Sequence, residues 1–340
     1  MKAFQIVSPK EVRVVEIERP TLGPGEVLLE VRFIGMCGSD LSSYLGKNRL
    51  LEYPRIPGHE IAATIVETGA EVPQDFLAGM DVTVLPYTAC GSCTSCLRGR
   101  TNACRHNQTL GVQRDGALAE YIAVAWQKII PPGGLTLKEL VFVEPLTVGF
   151  HAVDRADVSD NDIVLVLGCG MIGLGAIVRA NLRGAMVIAA DIDDAKLEIA
   201  AAFGAHAAIN SRGKNLHEEL TKVTGGNGPN VVIEAVGSPP TYRAAIEEVA
   251  FSGRVACIGY AADDIPITTR LIVQKELDVR GSRNATPLDF RAVVRFLERG
   301  SLPLDLVISR TVGVEELGNA LRDWAADPPA FTKILVRVAE

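Results

Sequence analysis

The feature that most constrains the fold is a glycine-rich turn between a predicted strand and a predicted helix. Residues 163–168 read IVLVLG, and the CGMIG that follows leads into a helical pattern that extends to about Arg183. Further apolar strands and one helical segment follow at residues 186–191, 196–204, 230–237 and 253–259. Strands that alternate with helices form right-handed βαβ crossovers and a parallel sheet. The sequence therefore predicts a doubly wound α/β domain in this part of the chain.

The turn has the spacing of a dinucleotide-binding site. Gly168, Gly170 and Gly173 form the motif G-C-G-M-I-G. The first glycine permits the tight turn, the second lets a pyrophosphate approach the backbone, and the third lets the helix pack on the strand. Met171 and Ile172 lie at the N-terminus of the predicted helix, whose partial positive charge favours phosphate.

An acidic residue at the end of the next predicted strand indicates which dinucleotide binds. Asp191 closes that strand, where a carboxylate accepts hydrogen bonds from both ribose hydroxyls and repels a 2′-phosphate. Asp193 and Asp194 add negative charge, and no Arg directly follows Asp191. The pattern favours NAD over NADP, although an aspartate at this position would also serve to cap the following helix.

A second motif, in the first third of the chain, predicts a metal ion. Cys90, Cys93, Cys96 and Cys104 follow the spacing C-x2-C-x2-C-x7-C. Four thiolates this close together can surround a tetrahedral zinc ion, and the closed shell leaves no position for substrate, so this zinc would be structural. Disulfides, which would need strained short loops, and an iron–sulfur cluster are the alternatives.

Charge and composition exclude several classes of partner. The 340 residues include 34 Lys and Arg against 41 Asp and Glu, a net charge of −7, without a basic run that could track a nucleic-acid backbone. The most apolar uncharged stretch, residues 163–178, is shorter than the roughly 20 residues of a membrane span, and the N-terminus lacks a signal-peptide core. We therefore expect no nucleic-acid or membrane partner, and a cytoplasmic protein with reduced thiols.

The first 145 residues contain the remaining candidates for catalysis. Cys37 lies in C-G-S-D, His59 and Glu60 lie in P-G-H-E, and Glu144 lies in V-E-P-L. One thiolate, one imidazole and carboxylates, with an open position, are typical of a catalytic zinc site. Short β-type runs, punctuated by Gly and Pro, predict that these residues belong to a β-rich domain: residues 27–35, 61–69 and 80–86.

Taken together, the motifs resemble the zinc-dependent members of the medium-chain dehydrogenase/reductase superfamily, over nearly the full length of the chain. They are C-G-S-D at 37–40, G-H-E at 58–60, the four-cysteine lobe at 90–104 and the glycine loop at 168–173. The resemblance implies an α/β protein with a GroES-like β-rich catalytic domain, residues 1–147 completed by 282–340. It implies a Rossmann NAD-binding domain, a doubly wound parallel sheet, at residues 148–281.

The resemblance also implies the ligands of a catalytic zinc. Cys37 and His59 match zinc ligands of the family. Glu144 takes a position that is cysteine in liver-type alcohol dehydrogenases and glutamate in sorbitol-dehydrogenase-like enzymes, which places the chain on the polyol side. Glu60 is either a direct zinc ligand or a nearby carboxylate that binds the zinc when a water ligand leaves. Both glutamates are retained as candidates.

The expected proton path begins at Ser39, which matches the relay hydroxyl of the family. Zinc would act as a Lewis acid on the substrate hydroxyl, Ser39 would accept its proton, and the nicotinamide would accept hydride. Many relatives have a histidine five residues beyond the zinc cysteine, where this chain has Ser42. The outer part of the relay therefore stays open.

Arg283 is the candidate that bears on substrate. It lies in G-S-R-N-A, near the place where polyol dehydrogenases have a substrate-facing arginine, and a guanidinium there would bind hydroxyls or a carboxylate. A solvated surface arginine is the alternative. This run and Glu144 resemble bacterial L-gulonate and L-galactonate 5-dehydrogenases. We predict oxidation of a secondary hydroxyl of a polyol or sugar acid, with NAD and with two zinc ions per chain.

Other functions remain open at this point. Threonine 3-dehydrogenase and a general zinc alcohol dehydrogenase share the same zinc and nucleotide motifs and differ in the substrate pocket. A non-catalytic structural or redox-responsive relative is an alternative of a different class. Oligomers are common in the family, so we expect a homodimer or homotetramer.

Overall fold

The structure is a computed structural model that describes residues 1–261, 263–300 and 302–339. The chain divides into two compact units: Met1–Glu144 with Thr286–Glu340, and Pro145–Ala285. The boundaries that the sequence predicts, after residues 147 and 281, lie three and four residues from these limits.

The N-terminal segment supplies most of the first unit and ends in a helix that runs into the second. Its elements are β1 (Lys2–Ser8), β2 (Glu11–Glu16), β3 (Glu26–Met36), α1 (Gly38–Tyr44), β4 (Glu60–Thr68), β5 (Asp81–Val84), α2 (Thr94–Leu97), β6 (Tyr121–Ala125), β7 (Ile129–Ile130), α3 (Leu137–Val141) and α4 (Val143–Arg155). β1 and β2 form a separate antiparallel pair. β3 pairs antiparallel with both β4 and β6, and β5 lies between β4 and β7.

The second unit alternates strands and helices. Its further elements are β8 (Ile163–Leu167), α5 (Met171–Leu182), β9 (Met186–Asp191), α6 (Asp194–Ala202), β10 (Ala207–Asn210), α7 (Leu216–Thr224), β11 (Val231–Glu234), α8 (Pro239–Glu248), β12 (Arg254–Cys257), α9 (Thr269–Gln274) and β13 (Asp278–Gly281). The strands pair in parallel in the order β10, β9, β8, β11, β12, β13. This is the strand order of the doubly wound dinucleotide-binding fold, in which ligands bind beside the carboxyl ends of the strands where the order reverses.

The C-terminal segment completes the first unit. It contains α10 (Pro287–Leu297), β14 (Ile308–Gly313), α11 (Leu317–Ala326) and β15 (Lys333–Arg337). β15 pairs antiparallel with β3 and parallel with β14. The last strand therefore lies beside the strand that leads into Cys37, although nearly the whole chain separates them.

Each unit has its own apolar core. In the first, residues of β3, β4 and β15 such as Ile34, Ile61 and Ile334 are fully buried. In the second, β8, β9 and β11 are almost continuously apolar because helices cover both faces of a parallel sheet. In the part of the chain that the structure describes, no helix has both the length and the apolar character to cross a membrane.

Candidate active site

Three of the residues that the sequence singles out for a catalytic metal lie together in the first unit. Donor atoms of Cys37, His59 and Glu60 all lie within 4.8 Å of one another. Cys37 caps the N-terminus of α1 directly after β3, and Glu60 is the first residue of β4. Because β3 and β4 are neighbours, the end of one strand and the start of the other meet at the same place. This set of donors fits a zinc ion.

Asp40 and Gly58 orient His59. Gly58 has a φ of +102°, and a Cβ there would come 3.1 Å from the Leu118 amide nitrogen, so the turn before His59 favours glycine. The carboxylate of Asp40 accepts a 2.8 Å bond from the Cys37 amide through Oδ2. Its Oδ1 lies 4.0 Å from Nδ1 of His59, which is a charge contact and too long for a hydrogen bond.

Glu144 and Tyr87 form a buried pair. Glu144 lies in the first turn of α4, and the phenolic hydroxyl of Tyr87, which follows β5, donates a hydrogen bond to its Oε1. Burial and the charge of Glu144 hold the pKa of Tyr87 well above its usual value. Tyr87 therefore keeps its proton and stays a donor, which fixes one oxygen of Glu144. Glu144 interacts electrostatically with His59 and Glu60, but it is not part of the group of donor atoms that lie within 4.8 Å of one another.

Lys333 forms a buried ion pair with the carboxylate of Glu60. Its Nζ lies 2.7 Å from Oε1 and 2.5 Å from Oε2 of Glu60, and it also donates to the Met36 carbonyl at 3.2 Å. Lys333 is the first residue of β15, the strand that pairs with β3. The C-terminal segment therefore contributes to the site.

The charges of the site favour a divalent cation. Burial raises the pKa of both Asp40 and Glu144, and the nearby Glu60 adds to that effect. Burial opposes protonation of His59, but Asp40, Cys37 and Glu144 outweigh it and hold the pKa of His59 well above its usual value. Nδ1 of His59 and Oδ1 of Asp40 are buried without a hydrogen-bond partner among the described residues. An excess of negative charge around an incompletely satisfied imidazole fits a zinc site.

Ser39 lies in the first turn of α1, two residues after Cys37, and is half-buried. Its backbone carbonyl accepts a 2.8 Å bond from the Ser43 hydroxyl. The helix is capped by Cys37, and Asp40 rather than Ser39 bonds the Cys37 amide.

The four-cysteine lobe forms a second cluster of metal donors. The Sγ atoms of Cys90, Cys93, Cys96 and Cys104 lie within 4.8 Å of one another. The Cys93–Cys96 and Cys93–Cys104 sulfur pairs are 3.5 and 3.9 Å apart. A tetrahedral zinc with bonds of about 2.3 Å separates its sulfurs by about 3.8 Å, whereas a disulfide requires about 2.05 Å. These distances favour the zinc interpretation over a disulfide.

Backbone amides support thiolates in this lobe. Cys104 accepts N–H bonds from Cys90 and His106, both at 3.3 Å. The backbone and hydroxyl of Ser92, with the Cys93 amide, lower the pKa of the Cys90 thiol to about 5. Removal from water raises the pKa of Cys96 to about 11. Donors directed at sulfur are suited to hold thiolates around a cation.

The glycine loop can accommodate a dinucleotide. Gly168 has a φ of +93°, and a Cβ on Gly173 would come 1.8 Å from the Gly168 carbonyl oxygen, so α5 packs directly on the turn. A Cβ on Gly170 would meet no heavy atom of the described residues within 4 Å, and Gly170 caps α5. The space before the helix N-terminus is therefore open to a phosphate. Met171, buried, and Ile172, half-buried, begin α5.

Asp191 connects the end of β9 to the glycine loop. Its Oδ2 accepts a bond from the Cys169 amide at 2.7 Å, and its Oδ1 accepts from Ile192 at 2.7 Å and Asp193 at 3.1 Å. The residue that caps α6 is Asp193, which accepts from the Lys196 amide. The alternative interpretation of Asp191 as a helix cap is therefore wrong.

Arg283 lies two residues after β13 in the second unit and is half-buried. The zinc candidates all lie in the first unit. Its role toward substrate remains a prediction.

Comparison with known proteins identifies the family. One family model, described as an alcohol dehydrogenase GroES-like domain, matches residues 23–133, and another, described as a zinc-binding dehydrogenase, matches residues 172–299. An L-galactonate-5-dehydrogenase of Escherichia coli K12 is 33% identical over 88% of this chain and 88% of its own length. This chain belongs to the zinc-binding dehydrogenases. The resemblance drawn from the motifs is confirmed.

One further relative of this zinc-binding dehydrogenase is named for a polyol, and a solved structure with the same fold contains NADH. A sorbitol dehydrogenase of Bacillus subtilis is 33% identical, over 83% of this chain and 81% of that protein. A crystal structure of the rspB alcohol dehydrogenase of Escherichia coli CFT073, complexed with NADH, has a TM-score of 0.91, 30% identity and 99% coverage of both chains. The predicted fold class, with its GroES-like and Rossmann domains, is confirmed, as is the predicted oxidoreductase activity. Zinc and NAD are the cofactors of this dehydrogenase, and its substrate is a small molecule.

Sequence reasoning did not find several residues of the site. Lys333 stands out in the sequence as a lysine at the start of the apolar run KILV, but nothing in the sequence indicates that it pairs with Glu60. Asp40 is distinguished in the sequence only as the last residue of the C-G-S-D motif. Nothing in the sequence distinguishes Tyr87 except its place between a predicted strand and the cysteine lobe.

Proposed function

We propose that this protein oxidises a secondary hydroxyl of a polyol or sugar acid, with NAD as hydride acceptor and a catalytic zinc. The observation that carries the proposal is the cluster of Cys37, His59 and Glu60, whose donor atoms lie within 4.8 Å of one another; Glu144 interacts electrostatically with two of them. A site with one thiolate, one imidazole and carboxylates leaves a position for substrate, in contrast to the closed four-cysteine lobe.

The residues of the site have separate tasks in this proposal. When bound, zinc supplies a Lewis acid that lowers the pKa of the substrate hydroxyl, and NAD accepts hydride from the carbinol carbon. Ser39 accepts the hydroxyl proton at Oγ and passes its own proton outward to solvent. Asp40 keeps the ring of His59 in place, and Tyr87 fixes one oxygen of Glu144. Glu60 and Glu144 are both retained as candidate ligands.

We assign the preference for NAD over NADP to Asp191. Its carboxylate lies at the end of β9 and is held against the glycine loop by the Cys169 amide. A 2′-phosphate on the ribose would meet this carboxylate and the negative charges of Asp193 and Asp194, whereas ribose hydroxyls would donate to it.

The four-cysteine lobe would hold the second, structural zinc. Its sulfur separations suit a tetrahedral ion and its amides point at sulfur. Thiolates persist in a reducing compartment, in agreement with the cytoplasmic location that we expect. We also propose a homo-oligomer, supported by the open edge of β13, where Val279 is 45% exposed.

We further propose that the substrate is a sugar acid. L-gulonate or L-galactonate would be oxidised at C5, and Arg283 would bind the carboxylate of the substrate. The named relatives include enzymes for a sugar acid and for a neutral polyol at the same identity of 33%. A guanidinium binds a carboxylate bidentately, and this would discriminate between the two classes.

A substrate panel tests this proposal. Formation of NADH would be followed with L-gulonate, L-galactonate, sorbitol, galactitol, L-threonine and ethanol, with NAD and NADP compared. We expect a sugar acid to give the highest kcat/KM, and Arg283→Ala to lose roughly tenfold or more on acids while its activity on sorbitol changes little. Arg270→Ala, an exposed arginine on α9, is the control. Higher activity on threonine or ethanol would contradict the proposal, and preference for a neutral polyol would remove the role of Arg283.

A further inference from the structure

Lys333 has an environment that is unusual for a lysine. It is only 2% exposed and Glu60 is fully buried. Its ammonium group contacts both carboxylate oxygens of Glu60 and the carbonyl of Met36, the residue before Cys37. Removing two charges from water costs several kcal/mol per ion, which a buried pair recovers only in part. An ion pair at this position therefore needs a reason beyond stability.

The reason lies in the sum of charges at the site. Cys37 as a thiolate, with Asp40, Glu60 and Glu144, brings more negative charge than a divalent metal offsets. Lys333 supplies part of the missing positive charge without occupying a coordination position, since an ammonium group has no lone pair to donate to a metal.

The contacts also restrict where the Glu60 carboxylate can go. Gly35 lies opposite Glu60 in the pairing of β3 with β4. A Cβ at Gly35 would come 2.1 Å from Oε2 of Glu60, so the carboxylate fills the space that this glycine leaves. Lys333 holds the same group at both oxygens. The Glu60 carboxylate therefore lies between the backbone of Gly35 and the ammonium group of Lys333, beside Cys37 and His59.

We propose that Lys333 is a positioning residue of the catalytic metal site, which holds the Glu60 carboxylate beside Cys37 and His59 and offsets its charge. The inference rests on the proposed function, because it assumes that a metal binds at these residues. It assigns to Lys333 an effect on the metal that acts through Glu60.

The test is a double-mutant cycle in which the coordination and the loss of the bound metal are measured. The variants are Lys333→Met, Glu60→Gln and the two combined, each prepared with zinc and with cobalt(II) in its place. Cobalt absorption reports the coordination geometry, and a chelator measures how fast metal leaves. The cysteine lobe contributes the same signal in every variant, so differences report the catalytic site. Arg337→Met, which removes an exposed cation at the other end of β15, is the matched control.

We expect Lys333→Met to change the cobalt spectrum and to alter the rate of metal loss by roughly tenfold or more, as for other residues that orient metal ligands. In the Glu60→Gln background, Lys333→Met should change the rate of metal loss by less than about threefold, because the Glu60 carboxylate through which Lys333 acts is gone. Arg337→Met should match the wild type.

Three outcomes would overturn the inference. They are an unchanged spectrum and rate in Lys333→Met, equal effects in both backgrounds, or failure to fold in both backgrounds. If Lys333→Met fails to fold but the double variant folds, the charge offset is supported. Metal analysis of the wild type separates this inference from the proposed function: a protein that takes up metal only in the cysteine lobe contradicts the function itself.

Discussion

Gly35 and Glu60 face each other across β3 and β4, and the absence of a side chain at Gly35 makes room for the Glu60 carboxylate. We expect Gly35→Ala to displace that carboxylate and Val141, whose Cγ1 would lie 2.8 Å from the new Cβ. The strain should cost about 1–3 kcal/mol in the free energy of unfolding and weaken metal retention. Denaturant unfolding and metal analysis would measure both. Gly213→Ala, at a position where a Cβ meets nothing within 4 Å, is the control, and equal stability of the two variants would contradict the prediction.

Tyr87→Phe removes the hydroxyl that fixes Glu144 and leaves the ring. Because groups that orient metal ligands typically contribute 10–100-fold to metal affinity or activity, we expect a loss in about that range in kcat/KM. Tyr121→Phe provides a comparison, since Tyr121 also donates to a glutamate, Glu30, but at 3.4 Å. Full activity of Tyr87→Phe would show that Glu144 needs no such support.

The two glycines of the loop should respond differently to alanine. In Gly173→Ala the Cβ would lie 1.8 Å from a backbone oxygen, so we expect the second unit to lose stability. In Gly170→Ala the Cβ enters open space, and we expect normal stability with weaker NAD binding. Thermal melting and titration with NADH would separate the two effects. Parallel losses of stability in both variants would argue against an open phosphate site.

Asp191→Ala should reduce the preference for NAD over NADP by about tenfold or more, since charged hydrogen bonds contribute about 1.5–3 kcal/mol. The ratio of kcat/KM values with the two dinucleotides measures this. Asp160→Asn, which removes the charge of an exposed aspartate in the same unit just before β8, is the control. An unchanged ratio in Asp191→Ala would assign the preference to another residue.

Cys104→Ser should remove one zinc ion per chain and destabilise the protein by on the order of 4 kcal/mol, as expected for loss of a structural metal. Metal analysis and unfolding would show both effects. Cys257→Ser changes a cysteine at the end of β12, outside the lobe, and should retain both metals. Retention of the full zinc content in Cys104→Ser would contradict the four-cysteine assignment.

The sequence predicts best what short-range patterns encode. The parallel strands β8, β9, β11 and β12 and the glycine turn appear in the sequence because each is a run of apolar residues bounded by turn residues. The metal candidates were likewise visible as local motifs. β13, DVRG, was not predicted because its pattern contains little apolar signal and it is stabilised by its pairing with β12.

The contacts that complete the candidate site were not predictable in the same way. Tyr87 and Glu144 meet through the tertiary fold, and so do Glu60 and Lys333. The position of Asp191 was predicted, but its bond to the Cys169 amide depends on how the turn folds back on β9. Such pairs join residues of different helices, strands and loops, so the periodicity of a single element does not predict them.

Glu60 and Lys333 are 273 positions apart, and all of Pro145–Ala285 is encoded between them. During synthesis a ribosome therefore releases Cys37, His59 and Glu60 long before it adds the lysine. Because domains generally fold in the order of their synthesis, the second unit is complete while the first still lacks β14 and β15. The nascent chain thus presents its metal-binding groups to the cell before their counter-charge exists.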